Sequence, residues 1–380
     1  MKKLLYLLPV AALALASCSN EEGLVKGDEV AKAATSPALQ IYPVVNANTR
    51  ASWDDSNFAA FTLDASGQFQ TDATTINTGA AALTGKAVTK GEDGKWTIAG
   101  GPYYWPSKQA TSSFTAYNHA AGEYTAPVTG DQEDIVVAFA PEASASDYEA
   151  GVPLYFRHIL SQVVFKADNA DKDDITVKVA GVRINNVYTT GEFTLPTAST
   201  ETALGYTPWS EQKTSNSYKG VAAVADAIEL TNGAAQTLAM IDPQMLVPQT
   251  LTEADLTAGT GSYLSVLIKV TDNTGAAIYP TEAAATADPS GNGFAWAAVD
   301  LSGMTWEAGK KYIYTLHFTK TGLGKVDPNQ EDGGTDDPTD DGDPGTDNPE
   351  EGDDIVDSPV PLVLTVTVVD WEEVPSEKTL

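Results

Sequence analysis

Short segments rich in β-branched and aromatic residues, each bounded by Gly, Asn, Asp or Pro, recur along almost the whole chain. They constrain the fold more than any other feature. Alternation at period two puts every second side chain on one face of a strand, whereas a helix needs a period near 3.6. Segments 58–63, 113–117, 134–138, 162–165, 175–179, 191–195, 263–270 and 311–318 are rich in β-branched and aromatic residues and read as strands. Helical periodicity is nearly absent, and one short helix is expected near residues 253–256. Strands at this spacing predict an all-β chain of sandwich-like domains. With 380 residues there is room for two domains in tandem, and 42% hydrophobic residues can supply a core for each. The break is expected near residue 150, where 142–151 turns small and polar, giving an N-terminal domain 51–150 and a C-terminal domain 151–380.

The N-terminus reads as an address. Lys2 and Lys3 precede an apolar run, 4–16, too short to cross a bilayer and of the right length for the core of a signal peptide, here 1–17. The run ends in Leu15-Ala16-Ser17-Cys18, which resembles a bacterial lipobox, with Cys18 as the lipidated residue of the exported chain. Cys18 is also the only cysteine, so no disulfide can form within the chain. The acidic pair Glu21-Glu22 behind it resembles the signal that sends lipoproteins of the Bacteroidota to the cell surface. Several acyl chains on one cysteine make a stable anchor in the outer membrane. Residues 18–50 are then a lipidated propeptide, polar except at 39–45, where Leu39, Ile41 and Val45 share one face at strand period.

Near the other end, residues 327–357 hold fourteen Asp and Glu and no Lys or Arg. Like-charge repulsion and the lack of apolar residues predict a disordered acidic tether. The spacing of a calcium-binding loop is missing. A strand is expected again at 360–369. Leu362, Leu364, Val366 and Val368 lie on one of its faces, and Val363, Thr365, Thr367 and Val369 on the other.

The formal net charge of −30 leaves nothing to neutralise phosphates and argues against nucleic-acid binding. His119, His158 and His317 are far apart, without zinc-site spacing, and neither a metal nor a cofactor is expected. No acidic pair has a context that selects it as acid and base, and neither a Gly-x-Ser-x-Gly elbow nor a Gly-rich phosphate loop is present, so no enzyme is expected.

Several stretches together resemble the fimbrillin family of the Bacteroidales, the subunits of type V pili. They are Tyr103-Tyr104-Trp105-Pro106, the run from Leu154 to Val163, Gly191-Glu192-Phe193-Thr194-Leu195, Leu246-Val247-Pro248-Gln249, the run from Ala308 to Leu316, and Val366-Thr367-Val368-Val369-Asp370-Trp371. The resemblance implies two tandem β-sandwich-like domains and a surface lipoprotein. It further implies a protease that removes the N-terminal segment with its first strand, and polymerisation with other pilin subunits through a donated strand. The long acidic insert before the last strand is a departure from the family. In that pathway the cut commonly follows an arginine. Of three here, Arg157 and Arg183 lie in apolar strand-like contexts and Arg50 in a small polar stretch. Processing between Arg50 and Ala51 by an Arg-specific maturation protease is the resulting expectation. The donor strand would be the terminal one, through Leu362, Leu364, Val366 and Val368. The same strand also reads as the last strand of its own domain in an isolated subunit. The rival reading is a surface glycan-binding lipoprotein with an exposed aromatic platform, for which Trp53, Trp209 and Trp296 are candidates, whereas Trp105, Trp306 and Trp371 read as core.

Overall fold

The computed structural model describes residues 38–45, 60–71, 81–107, 110–146, 151–197, 208–231, 233–281, 293–330, 352–356 and 362–370. These residues are all-β, with several antiparallel sheets and a single 3-10 turn at Val224–Asp226. The short helix expected near 253–256 is instead a turn closed by a bridge between Asp255 and Thr260. The Asp255 carboxylate accepts the N–H groups of Thr257 and Ala258, a local bond that competes with helix formation.

A seven-stranded sheet runs in the order Ile41–Val45, Val152–His158, Val136–Ser144, Thr111–Tyr117, Ala60–Ala65, Lys86–Lys90, Trp96–Ile98. Alternation decides which side chains turn inward: Phe61 and Leu63 on one strand and Phe114 and Ala116 on another are buried. Phe69, Trp105 and Phe114 meet with ring centroids 5.3 to 5.9 Å apart. Such aromatic clusters add to area burial.

Two further sheets share a second core. One carries, in order, Gln236–Thr237, Ser161–Asn169, Lys310–Phe318 and Val363–Asp370, with Gln244–Leu246 also pairing to Ser161–Asn169. The other runs Trp209–Val221, Ile175–Phe193, Tyr263–Asp272, Ala295–Asp300, Lys325–Val326. Phe165, Tyr314, Leu316 and Phe318 from the first and Val177, Val179, Val266 and Ile268 from the second belong to one buried cluster.

The two cores do not divide at one chain position. Tyr124, Ala126, Ile135 and Val137 pack into the second core, and Val152, Leu154 and Phe156 into the first.

Segment 175–179 and the first three residues of segment 191–195, expected as separate strands, belong to one 19-residue strand, Ile175–Phe193. Gly181 and Gly191 do not interrupt it. They let neighbours approach: a Cβ on Gly181 would lie 3.0 Å from the Trp296 ring, and one on Gly191 2.8 Å from Val247.

The acidic segment 327–357 is held at both ends rather than free throughout. Asp327 is buried and pairs with Arg183 at 3.1 Å. Residues 352–356 return to the fold through Gly352 N–H to Val326 O (2.9 Å) and the buried Ile355. Residues 331–351 lie outside the described residues.

Candidate functional site

Two edge strands carry the arrangement, one near each end of the chain. The opening strand, Ile41–Val45, lies at the border of the seven-stranded sheet and pairs in parallel with Val152–His158, Ile41 opposite Val152 and Val45 opposite Phe156. It is the only parallel pair in that sheet among the described residues. Leu39 and Ile41 are buried in the first core. Main-chain bonds from Leu39 N–H to Tyr103 O and from Val152 N–H to Gln40 O, both 2.8 Å, hold the approach to the strand. Gly151 has φ +108° and lies so close to Gln40 that a Cβ would sit 3.0 Å from the Gln40 carbonyl oxygen. Burying two aliphatic side chains stabilises the docked strand by about 3–6 kcal/mol before ordering costs.

The terminal strand, Val363–Asp370, lies at the border of another sheet and pairs antiparallel with Lys310–Phe318, from Val363 opposite His317 to Asp370 opposite Lys310. Leu362 is buried, and Leu364 and Val366 are partly buried against the second core. Val368, expected on the same face, is 47% exposed, although Tyr312 opposite it is buried in the second core. Val363 and Val369 on the outer face are exposed too. A strand with one unpaired border and apolar side chains on both faces is a site for adding another strand.

The terminal strand is also tied down on its outer face. The Thr365 hydroxyl lies 2.7 Å from His317 Nε2, and His317 Nδ1 lies 2.8 Å from an Asp168 carboxylate oxygen. With Nδ1–H donating to the carboxylate, Nε2 accepts from the threonine. This relay crosses three strands and joins residues 149 positions apart, so no local motif announces it.

Of the arginines, Arg157 is paired in its strand opposite Val137, and Arg183 is 2% exposed, its guanidinium 4.5 Å from the Trp296 ring centroid. Burial pushes the Asp327 carboxyl above the usual range, against the opposing pull of Arg183. Cys18, Arg50, Ala51, Trp53 and Trp371 lie outside the described residues.

The expected sugar platform is not assembled from Trp209 and Trp296. Trp296 is fully buried beneath Arg183, in a small cluster with Ala180, Leu267 and Phe294. Trp209 is half-buried, donates its indole N–H to the Ile159 carbonyl and packs against Phe193. Trp105 and Trp306 are core residues. Among the described residues no group of three His, Cys, Asp or Glu side chains converges as a metal site.

The family model described as fimbrillin-like matches residues 49–332. No curated protein matches the chain. Among solved structures, a fimbrial protein of Bacteroides vulgatus is 12% identical, with 74% of this chain and 95% of that one covered and a TM-score of 0.47. A candidate cell adhesion protein of Bacteroides uniformis is 15% identical, covering 88% and 98%, with a TM-score of 0.43. A third, from Parabacteroides distasonis, is 10% identical, covering 91% and 99%, with a TM-score of 0.43. With most of its length matched by the family model, this chain belongs to the fimbrillin-like family.

Proposed function

We propose that the chain is a structural subunit, from the shaft, of a cell-surface pilus. It is exported as a lipoprotein on Cys18, cut between Arg50 and Ala51, and polymerised by strand exchange. The observation that carries this reading is the place of the opening strand. It borders its sheet, contributes Leu39 and Ile41 to the core, and precedes Arg50 in the sequence.

A cut after Arg50 would release the lipid anchor together with that strand. It would uncover the main-chain N–H and C=O groups along one border of Val152–His158 and the trench filled by Leu39 and Ile41. Such a trench takes up a strand from elsewhere. The terminal strand has the same period-two pattern. Leu362, Leu364 and Val366 would fill the trench of the next subunit, with Val368 available to extend the contact. At home the strand is stored on Lys310–Phe318, which keeps an apolar strand from aggregating before assembly.

The experiment is N-terminal sequencing of protein recovered from sheared surface filaments. The expected sequence begins at Ala51. Filaments whose subunits begin at Cys18 would overturn the maturation step. Deletion of residues 360–380 is expected to abolish filaments, and filaments of normal length from that variant would overturn strand donation.

A further inference from the structure

Gln162 lies on the Ser161–Asn169 strand with 1% of its surface exposed, and neither its side-chain oxygen nor its nitrogen has a hydrogen-bond partner. Buried amides are almost always paired, with protein or with ordered water, so one that no protein group meets keeps its donor and acceptor for a partner from outside the fold.

Gln162 lines a cleft of about 670 Å³, whose origin is a detour of the chain. The segment beside the Ser161–Asn169 strand pairs with it as Gln236–Thr237 and again as Gln244–Leu246, and leaves it in between. Met240, Ile241 and Asp242 of that detour form one wall. Pro243 has no N–H to offer the neighbouring strand. Gly220 on the facing strand makes room, since a Cβ there would lie 2.0 Å from the Met240 carbonyl oxygen.

Elsewhere the chain itself shows what such an amide takes. The Gln249 side-chain oxygen accepts the Tyr188 N–H at 2.7 Å while its nitrogen donates to the Tyr188 carbonyl at 2.8 Å. Gln330 holds Trp296 in the same two-point way, at 2.9 Å for both bonds. In both cases a buried glutamine grips the main chain of a residue within a strand.

We propose that the cleft binds an extended polypeptide segment of another protein chain, whose main-chain N–H and C=O are gripped by the Gln162 amide. A sugar fits less well, because no aromatic side chain lines the cleft to stack on a ring. Asp131 and Asp242 in the walls outnumber the one basic wall residue, Lys219, and select against acidic segments, which sets aside the acidic 331–351 run of a second copy.

The test uses the full exported chain with glutamine side chains labelled with nitrogen-15. The probes are blocked tripeptides, Ala-Ala-Ala, Ala-Lys-Ala and Ala-Glu-Ala, at millimolar concentration. The expected result is a saturable shift of one side-chain amide signal, the one missing in Gln162→Met. That variant should bind at least about tenfold more weakly with no fall in thermal midpoint, since methionine fills similar space without an unpaired amide. Asp242→Lys, on an exposed wall residue, should reverse the preference for Ala-Lys-Ala over Ala-Glu-Ala. The proposal is overturned if no peptide moves that signal and it exchanges only with water. Equal binding by Gln162→Met overturns it as well. So does a shift caused by deleting residues 371–380 without any peptide, which would make the chain's own tail the occupant.

Discussion

Asp327 shows why a residue's charge has to be judged by its partner. By composition it opens an acidic run; in the fold its carboxylate is fully buried against Arg183, which in turn covers Trp296. Asp327→Ala strands a guanidinium away from water and should cost about 3–5 kcal/mol in urea unfolding. The double variant Arg183→Met with Asp327→Leu should regain most of that loss, because no buried charge is then unmatched. A single variant with near-normal stability would mean the pair is solvated. The tyrosines offer a second test. Burial pushes the hydroxyls of Tyr124 and Tyr263 up to about 12, against about 10 in an unfolded chain. A raised value favours the neutral form in the fold. Their contribution to stability is complete below about pH 10 and is lost as pH rises to about 12. Tyrosinate absorbance should therefore rise in two stages, the second together with loss of the β signal in circular dichroism. A single stage near pH 10 with the β signal intact would contradict this burial.

At the scale of elements, the two edge strands differ from the rest in how they are held. The opening strand is fastened to one neighbour and two core side chains, the terminal strand to one neighbour, a partly buried face and the Thr365–His317–Asp168 relay. Brief treatment of the exported chain with an Arg-specific protease should yield one main product beginning at Ala51. Arg157, paired in its sheet, and Arg183, 2% exposed, should resist. Equal cutting at all three arginines would show those strands open readily. Val366→Asp places a carboxylate against the second core and should weaken docking of the terminal strand by about 1–3 kcal/mol. Hydrogen exchange of that strand's amides should quicken while the seven-stranded sheet stays protected. Uniform protection would show that the Val366 side chain carries none of the docking.

For the whole molecule, 52 acidic against 22 basic residues set a field that opposes association of like subunits. The screening length falls from about 30 Å at 0.01 M salt to about 8 Å at 0.15 M. Assembly of subunits cut after Arg50, followed by light scattering, should therefore be faster at the higher salt. Equal rates would mean that the acidic groups lie away from the approaching surfaces. The two cores also interleave along the chain: Tyr124, Ala126, Ile135 and Val137 join the second core, whereas Val136 and Val152, Leu154 and Phe156 join the first, so neither is built from one uninterrupted stretch.

Strand identity was legible in the sequence: period-two alternation in 311–318 is a local consequence of the pleat and Lys310–Phe318 follows it, while the β-branched run 263–270 became Tyr263–Asp272, buried on both faces. The terminal strand was legible for the same reason. Which strands become neighbours was not, because pairing joins residues far apart, as Asp168 and His317 are, and a residue's own neighbours carry no record of it. Burial of Trp296, the match of Asp327 to Arg183 and the idle amide of Gln162 belong to that second kind. Each depends on what a distant segment brings against the side chain, and only the tertiary structure decides that.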